Sequence, residues 1–436
     1  MFQSMLLQNI IHGIDPIHAK TIHLKQGQIF KGIVTKIYPG ELAQLKLGSL
    51  VLTAKLETPL EKGKPYLLQV TGGDNVPRLK VLENISLYEN KNMKGQVLQQ
   101  MGIQDGNKNT EMLVQKLMDG HIPFTSKEIR EGSTLLQQLN VSNVDTINVM
   151  VQMIKKGLPL TKETYLSMVS LLSNQSIGEG ILTLEQGLKE YNLHNQFSSL
   201  YGVLQNLTKD SQIEQILQMS SGNNANQLLH GILSQLGLHY ENLLQKNFQL
   251  DTTLQYRNML KPLLIDFLNQ TTGQFLTIRK DAEFLLHRFT GNQLLSMENQ
   301  GPLQNIVMQI PLFFMGKNRD ITVQWQGRKK ENGTIDSDYC RILFYLEMAY
   351  LSETVIDLQI QNRIVSLTIY NENDKPEDFQ NHWFFVLKKQ LDSLDYRLSS
   401  VKWNEPHKVV SDNKYERKSN IYTDKNDSVI GVDVRI

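Results

Sequence analysis

Between Gln28 and Glu83 the apolar residues come in short runs broken by Gly and Pro, the texture of strands. The runs predict strands at Ile29–Ile37, Leu42–Leu47, Leu50–Leu56, Tyr66–Val70 and Arg78–Leu82. The breaks fall at Pro39-Gly40, Gly48-Ser49, Glu61-Lys62-Gly63 and Gly72-Gly73. Five strands in about sixty residues suit a small barrel, because closure removes the exposed sheet edges. Ahead of it, residues 1–20 read as a short amphipathic helix stopping near Gly13 and Pro16.

From Val97 to Ser296 the period becomes helical. Here VQKLMDGHIPFTSKE (Val114 to Glu128) is echoed by VQMIKKGLPLTKE (Val151 to Glu163). Each copy closes a helix at Gly120 or Gly157, carries Pro123 or Pro159, and opens the next helix at Thr125 or Thr161. Thr125 with Glu128 also predicts a capping box. Two copies are too few for a solenoid, so the pattern predicts a plain bundle. Further helices are expected at Gln212–Met219, Gln227–Leu236, Tyr240–Gln245, Leu254–Asn269 and Ala282–Leu295, with Ser221 to Gln227 as a polar loop.

The last third alternates with period two. Ile306, Met308 and Ile310 share a face, as do Ile321, Val323 and Trp325, while Thr322, Gln324 and Gln326 point the other way. After a hairpin turn at Asn332-Gly333, Cys340, Ile342, Phe344 and Leu346 line one side. Ile356, Leu358 and Ile360 pair with Val365, Leu367 and Ile369 across Asn362-Arg363. This predicts an antiparallel sheet with one wet face. Its cover is a helix from about Pro376 to Leu394, opened by Asp374 and Glu377, with the stripe Phe379, Trp383, Val386, Leu387, Leu391 and Leu394. A strand at Tyr396–Trp403 follows.

The fold class is therefore α+β and multidomain: an N-terminal β-barrel domain (1–90), a helical bundle (91–299), an antiparallel sheet covered by one helix (300–403), and a charged linker (404–436). The chain ends in SVIGVDVRI, where Ile430, Val432, Val434 and Ile436 alternate with Gly431, Asp433 and Arg435. That tail is expected to add a strand to a sheet.

Composition changes the picture mainly by exclusion. The 436 residues carry 45 basic and 44 acidic side chains, so no global field steers the chain to nucleic acid or membrane. One cysteine, Cys340, excludes an internal disulfide framework and fits a reducing compartment. No apolar run reaches the ~20 residues of a membrane span. MFQSMLLQNII lacks a basic n-region, so the cytoplasm is the expected location.

The chemical motifs are sparse. Gly178-Glu179-Gly180 reads as a loop without the strand and third glycine of a phosphate cradle. Ser399 with Lys402 and Ser411-Asp412-Asn413 are too close together for a penicillin-binding set. His12, His18 and His23 lack ligand spacing, Asp336 and Asp338 read as polar strand residues, and Cys340 as a small buried hydrophobe. No catalytic set, metal or cofactor site can be assembled, and the expectation is a protein without enzymatic activity.

The segments DAEFLLHRFTGNQLLSMENQGPLQNIVMQIPLFF, RILFYLEMAYLSETVIDLQIQNRIVSLTIY and FQNHWFFVLKKQLDSLDYRLSSVKW together resemble the C-terminal domain of bacterial flagellar hook-length control proteins. The family's Leu-x-Pro-x-x-Leu-Gly run corresponds to Leu346 to Ser352, where the two leucines are kept and the Pro and Gly are absent. The resemblance implies a partner, the cytoplasmic domain of a type III export-gate component, and no small-molecule substrate. It places the chain at the export apparatus. It implies a contact surface at Tyr350, Leu351, Glu353 and Val355, to which the alternation of the tail adds Val432 and Val434. Members that measure the hook carry a long Pro/Ser/Gln-rich ruler. Here residues 97–300 read as packed helices, and only 12 prolines occur in the chain, so the reading is a relative with a barrel and bundle in the ruler's place. The alternative is a nucleic-acid-binding adaptor acting through the barrel, whose aromatic residues are only Phe30, Tyr38 and Tyr66.

Overall fold

The computed structural model describes residues 24–406 except 49, 74–75, 83–92, 104–106, 141–143, 210–221, 247–255, 257, 298–302, 315–316, 331–333, 349 and 378–382. Several expectations lie outside the described residues. These are the N-terminal helix with its three histidines, the helix Gln212–Met219, the Asn332-Gly333 turn, Phe379 with residues 378–382 of the cover helix, the side chain of Trp383, Ser411-Asp412-Asn413, and the tail with Val432 and Val434. Contacts group the chain into two compact units that divide at Ser170.

The first unit begins with a closed barrel of β1 (Ile29–Ile37), β2 (Leu42–Leu47), β3 (Leu50–Leu56), β4 (Pro65–Gly72) and β5 (Arg78–Val81), in the order β1-β2-β3-β5-β4. Phe30, Val34, Ala43, Leu45, Leu47, Ala54, Leu56, Leu68, Val70 and Leu79 fill its interior. Each of these alternates with an outward-facing neighbour, so the period-two pattern alone selects the inside of the barrel. Helices α1 (Met93–Gln100), α2 (Lys108–Asp119), α3 (Ser126–Leu139), α4 (Val144–Lys156) and α5 (Lys162–Ser170) follow. The internal repeat is two helix–turn–helix joints. Thr125 and Glu128 make the reciprocal capping box, and Thr161 Oγ1 accepts from Thr164 N at 3.2 Å. In the second copy Gly157 takes the left-handed conformation (φ 65°), whereas in the longer first copy His121 does so (φ 52°).

The second unit holds α6 (Ile177–Glu190), α7 (Ser198–Thr208), α8 (Gly222–Leu236), α9 (Tyr240–Lys246), α10 (Leu260–Gln270) and α11 (Leu276–Ser296). After them come β6 (Leu303–Ile310), β7 (Phe313–Phe314), β8 (Lys317–Asn318), β9 (Ile321–Lys329), β10 (Ile335–Met348), β11 (Ser352–Gln361), β12 (Ile364–Asn371), α12 (Trp383–Ser393) and β13 (Arg397–Asn404). The fold is α+β, with a six-stranded sheet ordered β13-β12-β11-β10-β9-β6. Two assignments change. Gly222 to Gln227 belongs to α8 rather than to a loop, since the apolar run beyond it carries the helix backward through residues of poor propensity. Gly178-Glu179-Gly180 is the first turn of α6, where Cβ atoms would meet Asn318 Oδ1 at 1.8 Å and Leu285 Cδ2 at 2.8 Å. The two glycines permit close approach.

The sheet also departs from expectation. It is mixed: β13 runs parallel to β12, because a helical crossover returns the chain to the same end. The face expected to be wet is the deeper one, with Thr322 0% and Gln324 3% exposed, while Ile306, Met308, Val323 and Trp325 are half-buried. Hydrogen bonds make this burial tolerable. Arg288 Nε and Asn292 Nδ2 donate to Gln309 Oε1 (2.9 and 3.2 Å), Gln309 Nε2 donates to Thr322 Oγ1 (3.4 Å), and Tyr345 OH donates to Gln324 Oε1 (3.4 Å). Ser296 Oγ bridges the N–H and C=O of Val307 at 2.9 Å, closing the outer edge of β6. On the other face α12 packs Phe384, Leu387 and Leu391 over Cys340, Ile360, Val365 and Leu398. Leu394, expected in that stripe, lies beyond the last helical residue and is 63% exposed.

Candidate functional site

The expected partner surface is the tip where β10 turns into β11. The two strands stay paired to Met348↔Ser352, so the connection is three residues long. Ser352 closes it in the left-handed conformation (φ 54°). The tip is held from beneath by Asn371, the last residue of β12, which is fully buried. Its Nδ2 donates to Leu351 O (2.7 Å), Glu353 O (3.2 Å) and Thr354 Oγ1 (2.6 Å), and its Oδ1 accepts from Asn373 N (2.7 Å). Asn373 Nδ2 adds a second bond to Leu351 O at 3.1 Å, and Trp403 Nε1 donates to Asn373 O at 3.0 Å. A short turn tied down by these six hydrogen-bond contacts is a stiff support.

On this support Tyr350 is 95% exposed and Leu351 half-buried. Glu347, Glu353 and Glu372 are exposed around them. Partial burial, and then the neighbouring Glu347 and Glu372 carboxylates, push the Glu353 carboxyl up from its ordinary range. Tyr350, Leu351 and Glu353 thus share one surface. Val355 does not: it is 1% exposed and packs with Leu343, Tyr345 and Tyr370, because the hairpin turns it onto the buried face. Its place is in the foundation. The next hairpin turns at Asn362-Arg363 as expected, with both residues at positive φ (51° and 61°) and Gln361 paired to Ile364.

Sequence reasoning missed a buried polar centre. Asp320 is 6% exposed and receives Ile177 N at 2.8 Å and Gly178 N at 3.2 Å. The N-terminus of α6 is an anion site already filled by the chain's own carboxylate. Burial pushes Asp320 up to about 6, against the helix N–H groups and the nearby Arg288 that pull it down. Arg288 is likewise buried, which lowers it to about 10, so it stays a cation at neutral pH. Its guanidinium donates to Gln309 and to the carbonyls of Ser170 and Ser173. A second buried cation, Lys261, pairs with Glu241. The first centre ties α6 and α11 to the sheet, and the second ties α9 to α10.

The remaining candidates have structural partners. Asp336 pairs with Lys330 (3.1 Å) and Asp338 with Arg363 (3.0 Å). Cys340 is buried, and burial pushes its thiol up. Ser399 lies in β13, its Oγ donating to Val365 O. Among the described residues no three His, Cys, Asp or Glu side chains converge to hold a metal, and no helix is long and apolar enough to cross a membrane.

Comparison with known proteins adds one likeness. The chain is 31% identical over 124 residues to "Uncharacterized protein YlqG" of Bacillus subtilis (strain 168). The match covers 28% of this chain and 21% of that protein. No protein-family model and no solved structure matches the chain.

Proposed function

We propose that the chain is a non-enzymatic interaction protein related to the flagellar hook-length control proteins. In this reading the β10–β11 tip docks on the cytoplasmic domain of a type III export-gate component. The observation that carries it is Tyr350, almost fully exposed on a turn that Asn371 holds rigid. An aromatic presented by a stiff element loses little conformational freedom on binding, which is the economy of an interface anchor. Ser352 supports the alignment with the family run: it stands where that run has Gly, and its left-handed backbone is the conformation Gly favours. The exposed acids around Tyr350 favour a basic partner segment.

The test is capture of the full-length protein on an immobilised export-gate cytoplasmic domain. Replacing Tyr350, Leu351 and Glu353 together by Ala should abolish capture while leaving the melting curve unchanged. Undiminished capture of the variant, or no capture of the parent protein, would reject the proposal.

A further inference from the structure

The barrel has two unlike sides. On one, Ile29 exchanges backbone hydrogen bonds with Phe124 (2.7 and 3.0 Å), and Ile29 and Leu67 are buried. On the other, the outward residues of β1, β2, β3 and β5 stand in rows across the strands. Ile33 lies beside Lys46 and Val51, Lys36 beside Gln44 and Thr53, and Leu42 beside Lys55 and Arg78. Lys36, Lys46, Lys55 and Arg78 are all exposed, one on each of four neighbouring strands. Ile33, Ile37, Tyr38 and Val51 are exposed among them at 38%, 54%, 40% and 56%.

The charge of this domain is hidden in the near-neutral total. Residues 24–82 contain nine Lys and Arg against four Asp and Glu. Among the described residues the only carboxylate paired with the four wall cations is Glu41, 3.3 Å from Lys55. Both partners are well exposed, so that pair exchanges readily for another anion. Lys55 and Arg78 are like charges in direct register, an arrangement that costs stability unless an anion bridges it.

We infer that this wall binds single-stranded nucleic acid through its phosphates, without sequence preference. Cations repeated on strands about 4.8 Å apart match a backbone of regularly repeated charge. The exposed apolar side chains and Tyr38 offer surface to unstacked bases, which a duplex does not present. The strand order, with β3 parallel to β5, is also that of the oligonucleotide-binding barrels, a likeness of fold only. With Phe30 buried in the core and Tyr66 accepting from Glu61 N, Tyr38 is the one aromatic of the barrel strands and turns left for stacking. Phosphate contacts therefore dominate.

The test is anisotropy of a fluorescein-labelled oligothymidine of about twenty nucleotides, titrated with the full-length protein at several salt concentrations. Four phosphate contacts predict a log–log salt slope of about −3, or an affinity loss of about fiftyfold between ~50 and ~200 mM salt. The combined variant Lys36→Gln, Lys46→Gln, Lys55→Gln, Arg78→Gln should lose the binding and the slope, and Lys127→Gln on α3 should change neither. Should the combined variant melt early, Lys36→Gln and Lys46→Gln alone should each flatten the slope by roughly 0.7. Absence of binding at ~50 mM salt, or binding that ignores the wall substitutions, would overturn the inference. So would equal or tighter binding of a duplex, or preference for polyglutamate, which would make the wall a dock for an acidic polypeptide.

Discussion

Asn371→Ala isolates the stiffness of the β10–β11 tip from its chemistry, since Asn371 is buried and Tyr350 is left intact. The substitution removes one accepted bond and the Nδ2 group, whose two hydrogens are shared among three acceptors. They are not equal. Leu351 O keeps its bond from Asn373, and Glu353 is exposed, so water can reach its carbonyl. Thr354 is 0% exposed, so its hydroxyl keeps no solvent alternative. Asn373 N loses its acceptor at the surface. At about 1 kcal/mol for a bond that water does not replace, plus a penalty for the vacated volume, the cost is roughly 2–3 kcal/mol. The chain's three tryptophans, Trp325, Trp383 and Trp403, all lie in the sheet domain, so urea unfolding read by tryptophan fluorescence reports this unit. Hydrogen exchange should place the loosening at Leu351 to Thr354, with amides exchanging at least about tenfold faster. Capture by the partner should weaken although no surface residue has changed. A stability loss below ~0.5 kcal/mol with unchanged exchange at those amides would refute the assignment of Asn371 as the anchor.

Asp320→Asn tests the buried carboxylate. A folded pKa of about 6, above the ordinary 3.8, means the proton stabilises the fold. That contribution is complete below pH ~4 and lost as pH rises through ~6, so the stability difference between parent and variant should shift by ~3 kcal/mol in the variant's favour across this window. A difference independent of pH in urea unfolding would contradict it. Asp357→Ala strands Arg341, whose guanidinium makes paired bonds of 2.8 and 2.6 Å to a carboxylate 3% exposed, and should cost roughly 3–5 kcal/mol in the same assay. Cys340, with its thiol pushed up by burial, should react with a thiol reagent at mildly alkaline pH only after denaturant is added.

Local features of the fold were legible in the chain. The first three barrel strands have the expected bounds, since each is a period-two run closed by a turn. The Thr125–Glu128 box and the Asn362-Arg363 turn involve neighbours only, and both form. Errors came where the deciding partner is distant. Thr322 and Gln324 read as solvent-facing, because Gln309 and Tyr345 satisfy them from other strands. Gly178 read as a loop residue, because Asp320, which receives its N–H, follows 142 residues later. Of the candidate surface, exposure at Tyr350 and Glu353 was readable, whereas the burial of Val355 depends on which face the hairpin turns inward. The basic wall went unread because balanced totals conceal a charged domain.

The docking claim is tested most directly by a photo-crosslinking amino acid placed at position 350 of the full-length protein in living bacteria. Our account predicts an adduct with the cytoplasmic part of an export-gate component, and none when the probe replaces Tyr191, which is 44% exposed at the end of α6. No adduct at position 350, or the same adduct from position 191, would contradict it.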